Sequence, residues 1–154
     1  MKNKSNKNNK FDALDLSITR SGNNRNERQG AAEEKPLMLF SFKDFDKNQM
    51  PPGQSYETWQ EDKLLAYMIE KFGHICQLNR NEAEYGGFLK IYGNFPPNSE
   101  FKHPRHIAED VIWAVIMNIK GQKPRVAGHI IDNVFYVVFL DGEHQFYPSK
   151  KKNT

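Results

Sequence analysis

The feature that most constrains the fold is a series of three short apolar runs between Val111 and Asp141. They read VIWAVIMNI, PRVAGHII and VFYVVFLD, and they are rich in the β-branched and aromatic residues typical of strands. Gly121-Gln122-Lys123 separates the first two runs, and Asp132-Asn133 separates the last two. Asp and Asn tolerate positive φ, so the second link suits a two-residue hairpin. The pattern predicts an antiparallel meander whose last strand, apolar on both faces, lies in the interior of the sheet.

One further strand is predicted upstream, close to residue 37. The stretch LMLFSFKDF alternates in the manner of a strand, with Met38, Phe40 and Phe42 on one face. Pro51 and Pro52 mark the loop that follows it. Residues 94–110, immediately before the meander, are predicted to be mostly loop because they are polar and contain prolines.

Two helices are predicted between that first loop and the meander. Ser55 is a candidate N-cap, and apolar residues at helical spacing predict a helix of about six turns that ends near Leu78. Asn79 and Glu82 resemble a capping box that opens a shorter helix, which ends at Gly86. The predicted fold class is therefore α+β, with an N-terminal strand and two helices packed on the meander and the helices on one face of the sheet.

The charge is unevenly distributed along the chain and suggests a division into three segments. Residues 1–36 hold 8 of the 22 Lys and Arg residues and 5 of the 19 Asp and Glu residues, so the formal net charge of +3 lies there. This segment is polar and poor in large apolar groups, and we expect it to be a disordered extension. Residues 37–148 should form the folded domain, and residues 149–154 a basic tail.

Composition also bears on compartment and cofactors. No run approaches the ~18 apolar residues of a membrane span, and the N-terminus lacks the apolar core of a secretory signal. With Cys76 as the single cysteine, no disulfide framework or cysteine-based zinc site is expected. His103 and His106 have a spacing that suits a metal, but no carboxylate or cysteine partner is fixed nearby. We therefore expect a cytoplasmic protein without membrane attachment, metal or cofactor.

Polar residues at the ends of two neighbouring predicted strands form the candidate site. Arg125 opens the middle strand of the meander near Lys123, and His144 and Tyr147 follow the last strand. The start of one antiparallel strand lies beside the end of the next, so these side chains should meet at one edge of the sheet. The arginine could bind a phosphate, the histidine could move a proton, and the tyrosine could orient the phosphate or stack on a base.

The segment HPRHIAEDVIWAVIMNIKGQKPRVAGHIIDNVFYVVFLDGEHQFY resembles the C-terminal half of RelE/ParE-superfamily toxins. In that family a proline-led loop precedes a tryptophan-bearing strand and an arginine-led strand, and a final apolar strand ends in a tail with His or Arg and Tyr. The matching positions are Pro104, Trp113, Gly121, Arg125, His144 and Tyr147. Together with the upstream strand and helices, the resemblance covers about residues 37–148 and implies a RelE-like domain.

Membership of this family would imply a toxin of a type II toxin–antitoxin system. Such a toxin is an endoribonuclease (mRNA interferase) that cleaves mRNA, often on the ribosome, and a cognate antitoxin neutralises it. The RNA 2′-hydroxyl would attack the adjacent phosphate without a metal, with Arg125, His144 and Tyr147 as site residues. The basic residues expected to contact RNA are Lys123, Arg105, Lys150 and Lys151. The ParE branch would instead imply inhibition of DNA gyrase.

The sequence departs from the family pattern where a general base is expected. Ribonuclease members commonly place Lys or Arg on the tryptophan-bearing strand, or a glutamate in the loop before it. Here Ala114 and Ile116 occupy the strand, and Arg105 and His106 occupy the loop, so the base is unassigned. The alternative is a non-catalytic protein-interaction module on the same scaffold, which would bind through its sheet edge or through the FDALDLSI segment. The balanced charge of residues 37–154 favours this alternative.

Overall fold

The structure is a computed structural model in which residues 34–149 are described. The expected disordered extension up to residue 33 lies outside the described residues, as do Lys150 and the rest of the expected basic tail. The elements are β1 (Leu39–Ser41), α1 (Tyr56–Glu61), α2 (Leu65–Ile75), α3 (Arg80–Tyr85), β2 (Leu89–Gly93), β3 (Ile112–Ile116), β4 (Arg125–Ile131) and β5 (Val134–Asp141). The described chain is a mixed α/β domain, consistent with the predicted α+β class.

A five-stranded sheet in the order β1-β5-β4-β3-β2 forms the centre of the domain. Strands β3, β4 and β5 pair antiparallel, so the predicted meander is confirmed. The β4–β5 link is the expected two-residue hairpin, since Ile131 pairs with Val134 and Asp132 has a φ of 53°. Strand β1 is shorter than predicted and pairs parallel with β5, which makes β5 an interior strand.

The prediction of one six-turn helix was wrong, because the chain breaks at Lys63. This residue has a φ of 59°, and its N–H donates to the Gln60 carbonyl while the Leu64 N–H donates to the Trp59 carbonyl. These two bonds form a Schellman motif, which ends a helix and redirects the chain. Such a motif usually carries glycine in the left-handed position, and a lysine there gives no sequence signal.

The predicted helix caps are confirmed. Ser55 Oγ accepts a hydrogen bond from the Thr58 N–H at 3.1 Å and caps α1. At α3, Asn79 Oδ1 accepts from the Glu82 N–H at 2.9 Å. Glu82 Oε1 in turn accepts from the Asn79 N–H at 3.0 Å, which completes the capping box.

Strand β2 was missed in the sequence-based prediction, which placed one strand before the meander instead of two. It lies directly after α3 and pairs antiparallel with β3. The run is only five residues long and contains a lysine, so its apolar content is too small to identify it. Pairing with β3 supplies the backbone partners that stabilise it.

The two faces of the sheet are covered differently. One face carries the helices, and its core contains Trp59, Met68, Ile116 and Phe135, so the prediction of helices on one face is confirmed. The other face is covered by residues 94–111 and the C-terminal segment, which contain no helix or strand among the described residues. Within residues 34–149, no helix has the length and apolar character needed to cross a membrane.

The aromatic core under this loop-covered face anchors the C-terminal segment. Trp113, Phe139 and Phe146 pack together there, and each is at most 1% exposed. Burial of a side chain the size of Phe146 contributes roughly 1.5–3 kcal/mol. The chain after β5 is therefore fixed against the sheet rather than extending away from it.

Candidate functional site

Residues from four parts of the chain line an open cavity on the loop-covered side of the sheet. The cavity has a volume of about 270 Å³ and is lined by Arg125 of β4, by His144 and Tyr147 of the C-terminal segment, and by Lys90 and Tyr92 of β2. Pro96 to Asn98 form a further wall. Arg125, His144 and Tyr147, which were predicted to converge, thus share one cavity.

Strand register and one buried carboxylate bring these groups together. Arg125 lies directly opposite Asp141 in the β4–β5 ladder, so the chain leaves β5 beside the arginine. The fully buried Asp141 carboxylate accepts hydrogen bonds from the N–H groups of Gln145 and Phe146, both at 2.8 Å. These bonds close a tight turn after β5, in which His144 has a φ of 59°. The turn returns the chain across the sheet and brings His144 into the cavity.

Strand β2 contributes two residues that the sequence-based prediction did not identify. Ile91 pairs with Ala114 and Gly93 pairs with Trp113, so Tyr92 is the extra residue of a β-bulge. Bulges redirect side chains and are frequent near active sites. The available signal was the alternation in FLKIYG, which places Lys90 and Tyr92 on one face of a strand.

The two tyrosines of the cavity form a parallel stack. The ring centroids of Tyr92 and Tyr147 lie 4.3 Å apart with an interplanar angle of 4°. Lys90 Nζ lies 5.2 Å from the centroid of the Tyr92 ring, a cation–π distance. Tyr147 is 44% exposed and open to solvent, whereas Tyr92 is half-buried.

The electrostatics of the cavity favour neutral His144. Burial lowers the pKa of His144, and the positive charges of Arg125 and Lys90 lower it further. The Asp141 carboxylate and a hydrogen bond with the Tyr147 backbone oppose this effect. Since an unperturbed histidine titrates near 6.5, this imidazole is predominantly neutral at pH 7 and able to accept a proton.

Tyr92 and Asp141 both have raised pKa values. Burial raises the pKa of Tyr92, and the positive charge of Arg125 counteracts this increase. Burial also raises the pKa of Asp141, although the hydrogen bonds from Gln145 and Phe146 act in the opposite direction. Tyr92 is therefore a protonated phenol at neutral pH.

Of the other basic residues predicted to contact RNA, the two that the structure describes, Lys123 and Arg105, do not line the cavity. Lys123 Nζ forms an ion pair with Glu143 on the exposed surface. Arg105 is exposed in the loop before β3, next to His106, whose Nε2 lies 2.8 Å from the Asp44 carbonyl oxygen. Lys150 and Lys151 lie outside the described residues.

The burial of β3 explains why Ala114 and Ile116 stand where charged residues were expected. Both side chains are fully buried in the helix-side core, where an unpaired charge would be strongly destabilising. Lys90 of the neighbouring strand is the cation that lies close to the cavity instead. Glu109, a carboxylate of the loop before β3, is exposed and does not line the cavity.

The described residues offer no cluster of His, Cys, Asp and Glu that could hold a metal ion. His103 Nδ1 lies 3.0 Å from the Pro104 carbonyl oxygen, and His106 contacts Asp44 as described above. The cavity itself therefore presents two cations, an imidazole and two phenols. This set can neutralise an anion and transfer protons.

Comparisons with protein-family models, with curated proteins and with solved structures found no match for this chain. The class that the structure defines is a mixed α/β domain with a five-stranded sheet and three helices among its described residues. Its candidate functional site is the cavity between β2, β4 and the C-terminal segment.

Proposed function

We propose that the protein is a metal-independent endoribonuclease of the RelE/ParE-toxin type that cleaves mRNA. The observation that carries the proposal is the convergence of Arg125, Lys90 and His144 in one open cavity. Arginine binds phosphate oxygens through two parallel hydrogen bonds, and a second cation adds charge stabilisation where negative charge develops. The order of a strand, helices and an antiparallel meander supports the RelE-like interpretation of the fold.

His144 is the general base in this mechanism, a role that the sequence left unassigned. Its imidazole takes the proton of the RNA 2′-hydroxyl, whose oxygen attacks the adjacent phosphorus. Arg125 and Lys90 stabilise the negative charge that builds on the phosphate oxygens. The bond from phosphorus to the 5′-oxygen then breaks and leaves a 2′,3′-cyclic phosphate and a 5′-hydroxyl. A positioned base typically contributes about 10²–10⁴-fold to such a step.

The family resemblance extends the proposal to partners. It implies the ribosome as the place where mRNA is cleaved and a cognate antitoxin as the protein that blocks the site. The positive groups around the cavity suit an acidic antitoxin segment as well as a phosphate.

Inducible expression in a bacterial host tests the function. We expect growth arrest and new 5′ ends in cellular mRNA, detected by primer extension, with the wild-type protein. His144→Ala and Arg125→Ala should abolish both effects. Lys71→Ala, which removes a half-buried cation from α2 on the other side of the sheet, is the control and should behave as wild type. Full toxicity in both cavity variants would contradict the proposed site.

The second candidate is a non-catalytic protein-interaction module. It is favoured by strand β1, a short edge strand that pairs only with β5 among the described residues, and by Leu39, which is 55% exposed on that strand. An unpaired strand edge can add a strand from a partner. Normal growth together with unchanged mRNA 5′ ends would favour this module. Growth arrest with intact mRNA and reduced DNA supercoiling would favour a gyrase inhibitor.

A further inference from the structure

We propose that Tyr92 is a catalytic residue of this site, the proton donor to the 5′-oxygen that leaves when the RNA is cleaved. The assignment rests on the proposed ribonuclease function and extends it. His144 removes a proton from the nucleophile, so a second group must protonate the leaving oxygen, which is a poor leaving group as an alkoxide. Among the cavity residues matched to the RelE/ParE pattern, Tyr147 is the one that could also donate this proton.

The side chains that line the cavity leave few candidates for a proton donor. Arg125 does not lose a proton in proteins. Lys90 is exposed, and its ammonium lies over the face of the Tyr92 ring, where it adds positive charge to the cavity. The two phenols, Tyr92 and Tyr147, remain. They stack on each other but differ in their surroundings, and this difference distinguishes their roles.

Arg125 lines the same cavity as Tyr92. Burial raises the pKa of the Tyr92 phenol, and the positive charge of Arg125 opposes this increase. As the proton leaves, the negative charge that forms on the phenolate lies beside the guanidinium. The same arginine binds the phosphate, so the donor is held close to the bond that breaks.

The packing of Tyr92 supports the assignment independently. Tyr92 is half-buried, whereas Tyr147 is 44% exposed. The ring of Tyr92 also packs against the buried aromatic cluster of Trp113 and Phe146 and is stacked by Tyr147. The phenol is thereby fixed in the cavity, as a catalytic acid requires.

The proton balance closes without a cofactor. A bond forms between the 2′-oxygen and phosphorus while the bond between phosphorus and the 5′-oxygen breaks. The 2′-hydroxyl proton moves to His144, and the Tyr92 hydroxyl proton moves to the leaving oxygen. The imidazolium and the phenolate then exchange one proton through water, which restores both groups. Burial holds the phenol protonated before the reaction, and Arg125 offsets part of the resulting increase in its pKa.

An RNA substrate with sulfur in place of the scissile 5′-oxygen tests the assignment, because a thiolate leaves without protonation. Tyr92→Phe keeps the stacked ring and removes the proton. We expect it to lower the cleavage rate of ordinary RNA by about 10²–10⁴-fold and to cleave the sulfur substrate at close to the wild-type rate. Tyr147→Phe is the matched control, and its rate ratio between the two substrates should equal that of the wild type.

The possible outcomes distinguish a role of Tyr92 as the acid from a purely structural role, and they test the ribonuclease function separately. Equal losses for Tyr92→Phe on both substrates, or full activity on ordinary RNA, would overturn the assignment. A wild-type protein that cleaves neither substrate would overturn the ribonuclease function itself. If Tyr92→Phe does not fold, 3-fluorotyrosine at position 92 provides the test. Its more acidic phenol should move the alkaline limb of the pH–rate profile to lower pH, and an unmoved limb would refute the acid role.

Discussion

Replacing Asp141 by asparagine tests how the C-terminal segment is held in position. The Asp141 carboxylate is fully buried and accepts hydrogen bonds from the N–H groups of Gln145 and Phe146, both at 2.8 Å. An asparagine of the same shape has one oxygen and one NH₂ group. It can accept one of these hydrogen bonds, but its NH₂ group then faces the other N–H, which loses its partner.

The magnitude follows from that unpaired group. A buried backbone N–H without a partner costs about 1–3 kcal/mol, and the relief of a buried charge offsets part of this cost. We expect Asp141→Asn to lower the free energy of unfolding by about 1–3 kcal/mol at pH 7. Asp132→Asn in the β4–β5 turn is the control. That position has a φ of 53°, which asparagine tolerates well, so its effect should be within about 0.5 kcal/mol.

Urea unfolding followed by tryptophan fluorescence measures both effects, with an unchanged slope expected for each variant. The pH dependence gives a second readout. Burial raises the pKa of Asp141 above its ordinary value, so the folded state binds this proton more tightly than the unfolded chain. Wild type should therefore gain stability from this group as the pH falls through that raised pKa toward the unfolded value. The asparagine variant should lack this gain. A difference below about 0.5 kcal/mol at pH 7 would refute the role of these hydrogen bonds.

Two further predictions concern the sheet and the cavity. Gly128→Ala would place its Cβ 1.9 Å from the Tyr136 carbonyl oxygen and should lower stability in thermal denaturation by about 1–3 kcal/mol or more. Gly73→Ala is the control, because nothing lies within 4 Å of its added Cβ, and it should be neutral or stabilising by up to about 1 kcal/mol. Equal changes in stability for the two variants would contradict the predicted clash with the Tyr136 carbonyl oxygen. Lys90→Gln removes a charge that lowers the pKa of His144, so the acidic limb of the cleavage rate should move to higher pH. An unmoved limb would show that the charge of Lys90 does not act on His144.

Short-range signals in the sequence predicted much of the fold. The meander and its Asp132-Asn133 turn were predicted from apolar runs and turn chemistry, and the register confirms them. The caps at Ser55 and Asn79 were predicted from side chains that act within three residues of their own position. These features depend on neighbours along the chain, so the sequence alone contains the information that specifies them.

The errors in the fold prediction arose where distant contacts override local preference. Lys63 adopts a left-handed conformation that a lysine does not favour by itself, and the buried Trp59 and Leu64 on either side of it hold the break in place. Strand β2 has too few apolar residues to be identified, and its pairing with β3 stabilises it.

The same distinction holds for the candidate site. Antiparallel geometry was enough to predict from the sequence that Arg125 would lie near His144 and Tyr147. Lys90 and Tyr92 precede Arg125 by more than thirty residues, and only the order of strands in the sheet brings β2 to the cavity. The sequence determined which groups could transfer a proton or bind a phosphate. Tertiary structure decided which of them share one cavity, because strand register, the β2 bulge and the buried Asp141 carboxylate set their positions across the sheet.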